Sequence, residues 1–171
     1  MTALQIISGG QTGVDRGALD AALQTGTACG GWCPAGRIAE DGVIDPRYPL
    51  TPLEVRDYAA RTRRNVEDSD ATLILYFAVP EGGTALTLAC CRRLGRPCLL
   101  IDATRTGEQA AVSEILEFVH SRHITRLNVA GPRASKQPAA YHYARAVIGR
   151  LLDEYTPSGD NRAPPGTPGV P

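Results

Sequence analysis

Five times along the chain a short apolar run gives way to a segment of helical period, and that rhythm constrains the fold more than any other feature. Ala3 to Ile7 runs into Ser8-Gly9-Gly10, after which Ala18, Leu19, Ala22 and Leu23 recur at helical spacing between Val14 and Gln24. Thr27 to Trp32 reads as a second strand weakened by its glycines, and Leu53 to Val66 resumes helical spacing through Val55, Tyr58, Ala59, Thr62 and Val66. Ala71 to Phe77 has the pattern of a buried strand, Gly82 to Leu94 of a helix closed by Gly95, and Pro97 to Ile101 of a fourth strand. Glu108 to Ser121, Thr125 to Ala130 and Pro138 to Tyr155 complete the series as helix, strand and helix.

Parallel neighbours need crossover connections, so the alternation predicts an α/β fold: a Rossmann-like, doubly wound parallel sheet of about five strands, ordered 2-1-3-4-5, with helices on both faces. The 171 residues suffice for one domain, expected over 1–155, and leave 156–171, with five prolines and three glycines, as a disordered tail. Pro34 to Pro52 holds four prolines and little periodicity, which suits a long surface loop able to cover a site.

Lys plus Arg equals Asp plus Glu at 18 each, so no global field draws the chain onto nucleic acid or an anionic membrane, and affinity for anions must be local. The N-terminal run has no basic region before it and is broken at Gly9 and Gly10, too short for a signal peptide or a membrane span, which leads to the expectation of a cytoplasmic protein. The five cysteines are an odd number, and Cys29 and Cys33, separated by three residues with no histidine nearby, do not form a zinc pattern, so reduced structural thiols are expected.

In a doubly wound sheet ligands bind beyond the carboxyl ends of the strands, at the point where the winding reverses, here the crevice between the first and third strands. Three strands end in anion-friendly loops: Gly9, Gly10, Gln11, Thr12 and Gly13 with Asp15 after the first, Gly82, Gly83 and Thr84 after the third, and Arg133, Ser135 and Lys136 after the fifth. Glycine lets backbone N–H groups approach a ligand, a helix start adds free donors and partial positive charge, and Arg133 and Lys136 add cationic charge, so phosphate is the natural guest. Taken singly, each piece also reads as turn geometry, a helix cap or a solvated charge, with Asp15 suited to the positive helix end. Trp32, at a strand end, fits either the core or the pocket wall. There is no G-x-x-x-x-G-K-[ST], no G-x-G-x-x-G with its acidic partner, no Ser-His-Asp order and no H-E-x-x-H, so no catalytic residue and no metal ligand set is assigned.

The residues Ser8-Gly9-Gly10-Gln11-Thr12-Gly13-Val14-Asp15-Arg16-Gly17-Ala18-Leu19-Asp20, Gly30-Gly31-Trp32-Cys33-Pro34, Arg37, Glu40-Asp41-Gly42 and Tyr48-Pro49-Leu50 form the first part of a more specific pattern. Arg61-Thr62, Asn65-Val66, Asp68-Ser69-Asp70, Gly82-Gly83-Thr84 and Leu127-Asn128-Val129-Ala130-Gly131-Pro132-Arg133 continue it. Over about residues 4 to 150 the chain closely resembles the molybdenum cofactor carrier proteins, within the wider lysine decarboxylase-like Rossmann superfamily. The resemblance implies a homo-oligomer, a dimer or tetramer, that binds the phosphate-bearing pterin called molybdopterin for storage and delivery to a molybdoenzyme recipient rather than for conversion. It implies cofactor contacts from Gln11, Thr12, Gly13, Gly82, Gly83, Thr84, Arg133 and Ser135, with the terminal phosphate at a helix N-terminus.

The wider superfamily also contains phosphoribohydrolases, which cleave a base from a nucleoside monophosphate and carry P-G-G-x-G-T-x-x-E. Here the stretch reads Pro80-Glu81-Gly82-Gly83-Thr84-Ala85-Leu86-Thr87, with Thr87 where that glutamate would stand. An alcohol cannot serve as a carboxylate base near neutral pH, although Asp15, Glu40, Asp41 or Glu81 could supply a carboxylate from elsewhere. A nucleotide ligand, in a hydrolase or in a nucleotide-sensing module, is the alternative reading.

Overall fold

The structure, a computed structural model, describes residues 3–157. Its centre is a five-stranded sheet built from β1 (Gln5–Ile7), β2 (Cys29–Gly30), β7 (Ala71–Tyr76), β8 (Cys98–Asp102) and β9 (Arg126–Ala130), all paired in parallel. Five helices accompany it among the described residues: α1 (Val14–Thr25), α2 (Tyr58–Glu67), α3 (Gly82–Leu94), α4 (Glu108–Ser121) and α5 (Ala140–Glu154). The α/β alternation read from the sequence is the observed one.

The lateral order differs from the expected 2-1-3-4-5. It is β2-β1-β9-β7-β8, so the last strand inserts between the first and the third instead of taking the edge. Leu127 lies beside both Ile6 and Ala71, and Val129 beside Leu73. Strand order is set by which neighbours cover each apolar face, and periodicity is blind to that. Leu127, Asn128 and Val129 are all buried, as befits a central position. An edge strand instead leaves groups exposed, and β8 shows this at Leu100.

The main core joins Leu4, Ile6, Leu73, Leu75, Leu127 and Val129 of the sheet layer to Val14, Ala18 and Ala22 of α1, Val112 and Ile115 of α4, and Ala144, Ile148 and Leu151 of α5. Each fully buried Leu or Ile of this set contributes about 1.5–3 kcal/mol relative to exposure. A smaller cluster, Val66 with Cys90 and Cys91, joins α2 to α3. All five cysteines are free thiols.

The first residues of several expected elements shift for local reasons. The second strand breaks at Gly31 into β2 and β3 (Trp32–Cys33), because Gly31 adopts φ +137° where a Cβ would stand 2.1 Å from the Ser8 carbonyl oxygen. Helix α2 begins at Tyr58 rather than Leu53, since the Asp57 carboxylate accepts the Ala59 N–H at 2.8 Å and caps it.

The stretch 34–52 is not a structureless loop. It holds a 3-10 turn at Ala35–Arg37, an antiparallel ladder of β4 (Ile38–Ala39) with β5 (Gly42–Val43), and β6 (Thr51–Pro52) paired with β3. Ala39, Ile44, Tyr48 and Leu50 pack with Leu19 and Cys33 as a second core. Arg37 binds it from within, donating to the carbonyls of Ile44, Asp45, Tyr48 and Leu50 at 2.8–3.2 Å. Asp20 on α1 accepts the hydroxyls of Tyr48 at 2.8 Å and Tyr141 at 2.7 Å, tying this unit to α1 and α5. The expected tail lies outside the described residues from 158 onward.

Helix α5 crosses α1 at Gly17, where a Cβ would stand 2.5 Å from the Tyr141 carbonyl oxygen. Gly17→Ala must push the two helices apart and should cost about 1–3 kcal/mol in urea unfolding. Gly149→Ala, on α5 with no atom within 4 Å of the added methyl, should be neutral or stabilising by up to about 1 kcal/mol.

Candidate functional site

The carboxyl ends of β1, β9 and β7 open onto a cleft of about 420 Å³. Its walls come from the three sequence-predicted loops and from α2, which packs beside α3. The volume falls in the range of small-molecule sites. Of the predicted residues, Gly9, Gln11, Asp15, Gly82, Gly83, Thr84, Arg133 and Lys136 line it, whereas Gly10, Thr12, Gly13 and Ser135 do not.

The three loops differ in what their donors do. At the first, three amides at the start of α1 are satisfied from inside the chain: Val14 N–H donates to the Pro132 carbonyl at 3.2 Å, Thr12 N–H to Gln11 Oε1 at 3.0 Å, and Gln11 N–H to Asp15 Oδ2 at 3.2 Å. Gly10 and Gly13 are turn and packing glycines, with φ of +77° and +80° and backbone or side-chain atoms of Leu50 and Pro132 within 2.4 Å of a would-be Cβ.

At the last loop an internal carboxylate is bound. Glu40, from the β4–β5 turn, accepts the hydroxyls of Thr12 and Ser135 and the Ser135 N–H at 3.1 Å, and stands 3.9 Å from the Arg133 guanidinium. Desolvation pushes the Glu40 pKa up, but the bonds from Ser135 and Thr12 outweigh it and hold the carboxyl below its ordinary value. Thr12 and Ser135 therefore serve an internal anion.

The start of α3 is different. Gly82, at φ +51°, and Gly83 have nothing within 4 Å of a would-be Cβ, and their amides find no acceptor among the described residues. No acidic residue stands in the first turn, and Glu81 at the cap position contributes no side-chain bond. These are the exposed donors of a helix N-terminus opening on a cleft. Thr84 is buried beneath them, and the Thr87 hydroxyl donates to the Gly83 carbonyl at 2.9 Å.

Sequence reasoning gave no role to the wall supplied by α2: Tyr58, Arg61, Thr62 and Asn65. Its signal is a helix whose inward positions, Thr62 and Asn65, are polar and yet buried. Arg61 lies over Gly9, donates to Asp15 Oδ2 at 3.2 Å, and has a buried Nε without an acceptor among the described residues. Asn65 faces the other way in part, bonding the Trp32 backbone at 2.7 and 3.0 Å. Trp32 itself donates from its indole to Asp68 at 2.6 Å and is absent from the cleft wall. None of residues 34–52 lines the cleft either, so the expected covering role is corrected: the stretch is packed into a core of its own. Among the described residues no helix is long and apolar enough to cross a membrane.

A Rossmann-like sheet with a polar cleft at its carboxyl edge, edged by aromatic Tyr58, Tyr76 and Phe77, defines a small-molecule-binding protein by class. The chain belongs to the circularly permutated YpsA SLOG family, whose model matches residues 6–152. It is similar to the crystal structure of "Putative molybdenum carrier protein" from Syntrophus aciditrophicus SB, with 42% identity and a TM-score of 0.86 over 88% of this chain and 96% of that one. No curated protein matches the chain.

Asp15 gives the site a pH signature. Burial pushes its pKa above the ordinary aspartate value, against the opposing effects of the Arg61 charge and the Gln11 N–H. The folded protein then holds that proton more tightly than the unfolded chain does, so stability falls as pH rises from the ordinary aspartate range to the raised folded value. Asp15→Asn lacks this slope. Urea unfolding of both proteins between about pH 4 and 7 should show the difference moving in the variant's favour as pH rises.

Proposed function

We propose that the protein binds a phosphate-bearing, ring-containing small molecule in this cleft, and that the molecule is the molybdenum cofactor, held as cargo for storage or delivery in the cytoplasm. The observation that carries the reading is the start of α3, where the Gly82 and Gly83 amides have no acceptor among the described residues and an added Cβ at either position would meet nothing within 4 Å. A phosphate there would take two backbone donors and the favourable helix end, with Thr84 beneath and Lys136 on the rim.

The remaining residues fit a flat, polar ring system. Tyr58 and Phe77 offer aromatic surface, and Gln11, Thr62, Asn128 and Gln137 offer amide and hydroxyl groups for ring nitrogens and oxygens. The unpaired Arg61 Nε lacks an acceptor that a ring carbonyl or a phosphate oxygen would supply. The name of the similar Syntrophus protein supports a molybdenum-related cargo. Molybdopterin combines one phosphate with a pterin ring, which matches one free helix start beside an aromatic wall. Hydrolysis is disfavoured by Thr87, whose hydroxyl is buried and bound to its own helix.

The test is the identity of the molecule that co-purifies anaerobically, read by mass spectrometry. A pterin phosphate is the expected result, a purine nucleotide would replace the cargo, and conversion of a nucleoside monophosphate to free base would overturn the carrier role. Gly83→Val should weaken binding of the identified ligand by roughly tenfold or more in calorimetric titration, because its side chain enters the space the phosphate needs. Its melting temperature should move by only about 2–4 °C, since the added atoms meet nothing in the fold.

A further inference from the structure

Three glycine-rich strand ends meet at the cleft, and two already serve a carboxylate. Asp15 takes the Gln11 N–H at the start of α1 and pairs with Arg61. Glu40 takes Thr12 Oγ1, Ser135 N and Ser135 Oγ, and approaches Arg133. Glu40 is not a passing surface side chain, for its side chain is only 19% exposed and its own N–H donates to Gln11 Oε1 at 3.0 Å. Next to it, Asp41 holds Arg16 through two bonds of 3.0 Å, and Arg16 reaches the Gly10 carbonyl at 2.8 Å. The turn that carries Glu40 is therefore clamped to the first loop on both sides.

The charges follow the same pattern. Arg61, Arg133 and Lys136 line the cleft together with Asp15 and Glu81, and Glu40 at the Arg133 end brings the acids level with the bases. One phosphate meets free donors at Gly82 and Gly83. A second that reached Arg133 would approach Glu40, 3.9 Å from that guanidinium and already in possession of the Thr12 and Ser135 donors, and the like charges would repel.

We propose that Glu40 is a specificity-determining residue: a tethered carboxylate that stands behind Arg133 at the edge of the cleft, occupies the anion position between Thr12 and Ser135, and restricts the cleft to ligands with a single phosphate group. This rests on the phosphate reading of the α3 start. The acid acts as a built-in competitor, excluding diphosphates and triphosphates by charge and by occupancy.

The experiment titrates orthophosphate and pyrophosphate into the isotope-labelled full chain, comparing wild type with Glu40→Gln and Glu40→Ala by amide chemical shift. In the wild type both anions should move the Gly82 and Gly83 amides, with pyrophosphate bound no more than about threefold more tightly. In the variants the Ser135 amide should join the responding set and pyrophosphate affinity should rise roughly tenfold, while orthophosphate affinity at Gly82 stays within about twofold. Response at Gly82 and Gly83 with no gain in either variant, or a wild type that already prefers pyrophosphate tenfold, overturns the role of Glu40. Silence at Gly82 and Gly83 toward both anions overturns instead the phosphate reading, and this inference with it. Loss of amide dispersion in both variants makes Glu40 a folding residue and also overturns its role in selection.

Discussion

Which backbone donors are left for a ligand depends on two carboxylates that the chain supplies to itself. Asp15, in the first turn of α1, and Glu40, in the β4–β5 turn, accept N–H and O–H groups that would otherwise point at solvent or at a bound anion. A buried donor without an acceptor costs about 1–3 kcal/mol, so a tightly packed first loop needs such internal partners. That packing is visible at Gly10 and Gly13, which have Leu50 and the Pro132 carbonyl against them. These internal partners take the Gln11, Thr12 and Val14 amides out of use for a phosphate. At the α3 start the Gly82 and Gly83 amides have no acceptor among the described residues.

The sequence carries the elements well and their arrangement poorly, for one physical reason. Apolar spacing reports which face of an element is buried, so the strands at Ala71–Tyr76 and Arg126–Ala130 and the helices at Gly82–Leu94 and Glu108–Ser121 are close to their expected bounds. It does not report which neighbour does the burying, and β9 accordingly enters the middle of the sheet against expectation. The stretch 34–52 misleads in another way. Its prolines and charges look like solvent-facing loop, yet Arg37 satisfies four carbonyls at once and Ile44, Tyr48 and Leu50 build a small core from spacing that matches neither period.

The candidate site divides along the same line. The glycine loops are legible because a strand ending in glycines before a helix has few structural uses, and all three do reach one cleft. Glu40 and Arg61 are illegible as single residues. Each acts across a long sequence separation, Glu40 on Ser135 and Arg61 on Asp15, and only the packed fold brings those pairs together. The α2 wall is an intermediate case, since polar residues on the inward side of an amphipathic helix break the usual pattern and mark a surface facing something other than core.

The loop before α3 must hold its free amides still if they are to bind rather than merely be exposed. Ala78, between β7 and α3, adopts φ +63°, a left-handed conformation that costs a non-glycine residue about 1–3 kcal/mol. The neighbouring strand offsets that strain. Asp102, at the end of β8, accepts the Ala78 N–H at 3.1 Å, and its position is fixed by the Thr104 N–H at 2.9 Å and hydroxyl at 2.7 Å. The hydroxyl bond of Thr104 is the largest influence on Asp102 and, with the Ala78 N–H, keeps its carboxyl below the ordinary aspartate value, so the anchor is charged at neutral pH. The edge strand β8 thereby takes part in the site without touching it, by fixing the turn from which the α3 donors project. Donors fixed in advance bind an anion with less ordering cost than donors on a loose loop.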